Sequence, residues 1–446
     1  MRNPPLKKLL NAYKRGVFCV AILCVALTPV CGQEVINEDT VKESSQEKWK
    51  QFWISTQNYW LYTPDYTTHR EPKRSFEMGA VFSAGFAWDL YLSFLDIFKK
   101  DSVLEINFNE ALDNLSLTVP SGLNINIPVE YQFLYTKFRY KQDRTFTMSF
   151  FNISENLSIL FSEDLFVFFA QGNTKKYNIE PAIQVSGAIF VEFLSFGWER
   201  KIFGDYFISV KPAWYLPLVY IPKSVQKIKI SAEDSFILEL QGSVKAYVPF
   251  SFVNGFEITN YGGVDLDLCV ERSVFNILDV GLDLRNLPLM PSVLSNVGEA
   301  GIEGVVLDAS NSVFEGININ IPELEQFYRT SNFWVFRPIR TDIYALYRPF
   351  GRDSLVFRPN AGITFLNPSE ELFVNLGLSV SFQPVYWFTA TFFTGMEEKL
   401  GKNEIGLSFS WRNFGFWLKV DMRSQDYFRA WTLKGAGFSV GWLWGY

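Results

Sequence analysis

The sequence predicts an all-β chain: a transmembrane antiparallel β-barrel of the outer-membrane type, with about 14 strands (12–16) and an N-terminal plug-like segment. Three observations point there. After residue 32 no apolar run approaches the ~20 residues that a membrane-spanning helix needs. Yet 17% of the chain is aromatic at a mean hydropathy of only +0.04, a combination that barrels show and helical membrane proteins do not. Third, long stretches alternate apolar and polar with period two. Many run to the ~9–11 residues that cross a bilayer as a tilted strand, whereas globular strands average ~5–6.

The chain starts with Arg2, Lys7, Lys8, Lys14 and Arg15, then an uncharged run of 14 residues, VFCVAILCVALTPV at 17–30. That is the layout of a secretory signal, too short to span as a helix. We place the cut after Gly32, giving a signal peptide over 1–32. Lipidation at Cys31 is the alternative. Removing 1–32 leaves 36 Lys+Arg against 47 Asp+Glu, a net charge of −11. This excludes nucleic acid, whose binders concentrate positive charge. Three of the four cysteines fall within the signal, so Cys269 has no partner for an internal disulfide.

Residues 33–74 form the plug-like segment. They are charged, yet carry Trp49, Phe52, Trp53, Tyr59, Trp60, Tyr62 and Tyr66. Disordered leaders are poor in aromatics. Trp49, Trp53, Tyr59 and Trp60 are the candidates for docking it inside a barrel.

The barrel is expected over 75–446. Its first strand places Phe76, Met78, Ala80, Phe82, Ala84, Phe86 and Trp88 on one face. A hairpin follows at 131–153 around Gln142-Asp143-Arg144. The stretch 206–222 reads as one wall strand with Tyr206, Ile208, Val210, Trp214, Leu216, Leu218 and Tyr220 on its stripe, ended by Pro222. Pro212 and Pro217 fall inside it. Proline lacks the N–H that the ladder needs, so a kink, bulge or gap is expected there, and with it a lateral exit. Further strands are expected at 236–248, 264–271 and 280–285. Asp265, Asp267 and Glu271 share one face, as a polar lumen wall or a cation site. Phe207, Tyr215, Val219, Ile237, Tyr247, Phe373 and Phe388 are assigned to the lumen side. Residues 286–339, with Pro288, Pro291 and Pro322, read as a long excursion with local strands. Within it, 316–322 (GININIP) echoes 122–128 (GLNINIP), each leading into a proline that stops a strand.

The last third is the most regular, with strands near 340–349, 355–366, 371–383, 385–395, 404–412, 414–422 and 434–446. Short turns make them antiparallel neighbours. The chain ends GFSVGWLWGY. Phe438, Val440, Trp442, Trp444 and Tyr446 alternate with small residues, resembling the C-terminal signal read by the barrel assembly machinery.

No catalytic constellation is present. His69 is the sole histidine, with Asp65 or Glu71 near it in sequence, and no nucleophile motif accompanies it. One histidine and one mature cysteine do not make a metal centre. No enzyme activity, cofactor or metal is expected.

The whole plan resembles the long-chain fatty acid outer-membrane transporter family. The plan comprises a signal peptide, a plug of about 40 residues, a barrel of about 14 strands and an aromatic end. Phe76–Trp88, Lys211-Pro212-Ala213-Trp214-Tyr215-Leu216-Pro217 and Arg285-Asn286-Leu287-Pro288 are similar in manner to uncharacterised barrels grouped near it. The resemblance implies a channel or transporter for hydrophobic small molecules, such as long-chain fatty acids, in the bacterial outer membrane. Its partners would be the lipid bilayer, the assembly machinery and that cargo. A surface-exposed adhesion or structural barrel and a general diffusion porin stay open as alternatives.

Overall fold

The structure, a computed structural model, describes residues 76–88, 123–141, 144–161, 182–202, 206–231, 237–251, 257–275, 277–303, 306–308, 313–315, 318–320, 328–350, 354–366, 371–385, 387–397, 400–411, 414–424, 427–432 and 435–445. In chain order the strands are β1 (Phe76–Trp88), β2 (Leu123–Lys141), β3 (Arg144–Phe161), β4 (Ala182–Ile202), β5 (Tyr206–Ser231), β6 (Ile237–Val248), β7 (Phe250–Ser251), β8 (Glu257–Ile258), β9 (Gly263–Phe275), β10 (Leu278–Met290) and β11 (Ser292–Glu303). Then come β12 (Val306–Asp308), β13 (Val313–Glu315), β14 (Asn318–Asn320), β15 (Tyr328–Val335), β16 (Ile339–Tyr347), β17 (Leu355–Leu366), β18 (Glu371–Val385), β19 (Phe388–Glu397), β20 (Leu400–Trp411), β21 (Phe414–Ser424) and β22 (Gly435–Gly445).

Fourteen of them, β1–β5, β9, β10 and β16–β22, pair antiparallel with their neighbours all the way round. The ring closes where β22 meets β1, in unbroken register from Glu77↔Gly445 to Ala87↔Gly435. Among the described residues, closure leaves the fourteen ring strands without a free edge strand, as a bilayer requires. The alternation of the sequence becomes two faces. On β18, Leu372, Val374, Leu376, Leu378 and Phe382 are exposed on the outside, while Phe373, Asn375 and Ser381 are buried within. The outer apolar face is the one that lipid covers.

Above β9, β10 and β16 a second tier continues the wall. β6 pairs with the far end of β5 and with β11, and β11 pairs with β15. β10 and β11 are separated by Pro291 alone, and β15 and β16 by residues 336–338.

Several expectations change. The excursion at 286–339 contains wall: β10 runs through Pro288, paired to Asp265, and β11 and β15 are tier strands. Pro222 does not end its strand, because β5 continues to Ser231 against β4 and β6. Pro128 does not stop β2, which runs on to Lys141; its register with β3 passes straight through Pro128↔Asn156. Tyr220 faces inward and Val219 outward, because a bulge after Pro217 shifts the alternation by one. Phe388 lies outside too, paired to the exposed Phe409.

Candidate functional site

The wall is least regular at β5. On one side β5 keeps β4 as partner nearly throughout, with bulges. On the other side it changes partner. It pairs with β9 from Tyr206↔Arg272 to Tyr215↔Gly263, and with β6 at Tyr220↔Tyr247 and again, after an irregularity, from Ile228↔Leu240 to Ser231↔Ile237. Pro217 sits between these two pairings, buried and inward, and on its other side stands opposite Phe190 of β4. Pro212 faces outward and exposed. It holds register with β9 through Leu266, while pairing with β4 lapses between Val210↔Trp198 and Ala213↔Ser195.

The handover is sealed by residues 259–262. Trp214 Nε1 donates to Tyr261 O at 2.7 Å. Asn260 accepts from Gly262 N at 2.9 Å and donates to Ser292 Oγ at 2.5 Å. Gly262 has φ of 91°, and a Cβ there would lie 2.1 Å from Tyr215 O, so only glycine fits.

Inside the break lies a packed aromatic corner. Ala188, Phe190, Tyr215, Tyr220, Leu294 and Val335 are buried together, with Tyr247 and Phe333 against them. The Tyr247 and Phe333 rings stack at 4.7 Å, and Tyr220 meets Phe333 at 5.3 Å. Tyr215 Oη donates to Val335 O at 3.2 Å.

Beside this corner lies a charged knot. Arg337 holds Asp265 by two hydrogen bonds, at 2.6 and 2.7 Å, and Glu192 by one at 2.6 Å. Its guanidinium lies 5.4 Å from the Tyr215 ring centre. Glu192 also accepts from Ser149 Oγ at 2.8 Å. Lys211 approaches Asp267 at 3.5 Å, and Asp267 accepts from Asn286 N at 2.8 Å. A buried charge needs such partners, since removing one member of a buried pair costs about 3–5 kcal/mol.

The knot has a counterpart on the outside. In β2, β3 and β4 the alternation slips at one level, so that two adjacent apolar residues face out between inward polar ones. The stretches are QFLY (132–135), SFFN (149–152) and EFLS (192–195), in register through Gln132↔Asn152↔Glu192 and Leu134↔Phe150↔Leu194. Phe151 takes a φ of 52° to do so. Bulges of this kind re-aim side chains. Here they turn Glu192 inward to meet Arg337, and Ser149 inward to meet Glu192.

The other expected residues are placed as follows. Phe438, Val440, Trp442 and Trp444 form an outward stripe on β22 between β1 and β21. Tyr446, Trp49, Trp53, Tyr59, Trp60 and His69 lie outside the described residues. Asp265 and Glu271 do share a buried inner face, as a lumen wall built into ion pairs and hydrogen bonds: Asp265 with Arg337, Glu271 with Tyr344 Oη. Among the described residues no group of three or more His, Cys, Asp or Glu side chains is placed to hold a metal ion. Arg337 and Glu192 were not foreseen. The signal was present: Glu192 is the lone charge in AIFVEFLSFGW, and a charge inside a wall strand demands a partner in the lumen.

No family model and no curated protein matches this chain. Solved structures similar to it include the Pseudomonas putida toluene transporter TodX, 7% identical over 87% of this chain and 93% of that one, with a TM-score of 0.40. A Pseudomonas aeruginosa FadL homologue is 8% identical over 83% and 90%, with a TM-score of 0.41. The translocator domain of the autotransporter NalP from Neisseria meningitidis is 7% identical over 83% and 88%, with a TM-score of 0.33.

Proposed function

We propose that this barrel works in the bacterial outer membrane as a channel or transporter for hydrophobic small molecules, such as long-chain fatty acids, and that cargo leaves sideways at the break beside Pro217. The observation that supports this reading is the change of ladder partner on β5 between Tyr215 and Tyr220, backed by an aromatic inner corner. A molecule that leaves through the wall there enters lipid without crossing water. Tyr220, Tyr247 and Phe333 offer it flat apolar faces on the way.

The test is the double change Pro212→Val, Pro217→Val, which restores two N–H donors and favours a continuous wall. Uptake of a radiolabelled fatty acid by cells carrying the variant is expected to fall clearly below the wild-type rate at equal levels of folded barrel. Unchanged uptake in a well-folded variant would remove the lateral route.

One observation favours a second reading, a general diffusion porin. The inward face of the wall is rich in charge, with Lys137, Glu199, Asp283, Arg285, Arg358 and Asp421 buried on it. Steady, large openings of the wild-type protein in planar bilayers would support the porin.

A further inference from the structure

Residues 336–338 join β15 to β16 and belong to no strand. Arg337 therefore reaches its partners from a stretch that carries no ladder. Those partners are distant along the wall. Between β16, which follows Arg337, and β4, which carries Glu192, the barrel runs through β10, β9 and β5. The Arg337–Glu192 hydrogen bond cuts across this arc as a chord, and the bonds to Asp265 on β9 fasten its middle. Two more ties hold the same segment: Tyr215 Oη to Val335 O, and Asn286 Nδ2 to Pro338 O at 2.8 Å. Behind the chord Tyr215, Leu294 and Val335 have no exposed surface at all.

We propose that Arg337 is a latch. While it holds Glu192 and Asp265, the 336–338 link is drawn against β4 and β5 and the lumen is closed along that arc. When it lets go, the segment swings back toward β16 and the aromatic corner opens. The geometry suits a two-state element. The ties are made by side chains, so releasing them breaks no strand pairing. Ser149 still satisfies Glu192, and Lys211 stands beside the Asp265–Asp267 row to receive the freed charge. The latch concerns passage through the lumen and does not depend on which cargo is carried.

Single-channel recording of the full chain in planar bilayers tests it. Arg337→Ala is expected to raise open probability about tenfold or more. Glu192→Gln, which keeps shape and hydrogen-bonding capacity but removes charge, should give a smaller rise. Arg337→Lys keeps the charge without the two-pronged grip and should bring openings back toward the wild-type frequency. Such a rescue separates a latch from a merely loosened fold. Folding of each variant is checked by heat modifiability on gels. If Arg337→Ala and Glu192→Gln both fold and record like the wild type, or if Arg337→Lys opens as often as Arg337→Ala, the latch is wrong.

Discussion

Gly441 has no side chain because Trp417 fills its place. A Cβ at Gly441 would lie 2.2 Å from the indole, which is buried with Val81 and Leu443 on the inner face. This explains the small residues between the large ones at the chain's end: the outer stripe needs bulk for lipid, and the inner one must yield to side chains from β21. Gly441→Val should therefore lower the urea midpoint of the purified barrel, by a loss of ~1–3 kcal/mol typical of overpacking. An unchanged midpoint would mean that the indole is free to move. The stripe Phe438–Trp444 was readable from period two alone. Trp417 as the occupant was not, because it comes from a neighbouring strand whose register no local pattern states.

Strand β22 is the seam of the barrel. Its last rungs pair Gly445 with Glu77, and Trp444 with both Met78 and Phe414. Phe76 and Trp444 rings also meet edge-on at 6.0 Å. Deleting Trp444-Gly445-Tyr446 removes these rungs, and with them the proposed signal for the assembly machinery. Export across the inner membrane should continue while the folded, heat-modifiable form drops sharply; a normal folded level would count against both roles. Elements with clean alternation, such as β18, β21 and β22, were legible to within two residues at each end. β2, β3 and β4 were legible as strands, but their stacked bulges were not. QFLY, SFFN and EFLS each break the period once, and a single break looks like noise until three neighbours align it. The same blindness put Tyr220 outside and Val219 inside.

The whole molecule is a ring of 14 strands with two proposed obstructions in its cross-section. The Arg337 chord covers the arc from β4 to β16. Residues 33–74 are proposed, from their aromatics, to sit in the lumen. Removing 33–74 should preserve the barrel and raise its conductance, and adding Arg337→Ala should raise it further; no change on removal would place the segment outside the pore. The sequence by itself determined a membrane barrel of about this strand number, its lipid-facing stripes and its aromatic seam. These are local properties, because lipid acts on each strand independently and the alternation records that contact. Tertiary structure alone decided the handover of β5 from β9 to β6, the second tier, and the meeting of Arg337 with Glu192 and Asp265. Each joins residues tens to over a hundred positions apart, and which charges meet across a lumen depends on register and closure, which are set only when the ring is complete.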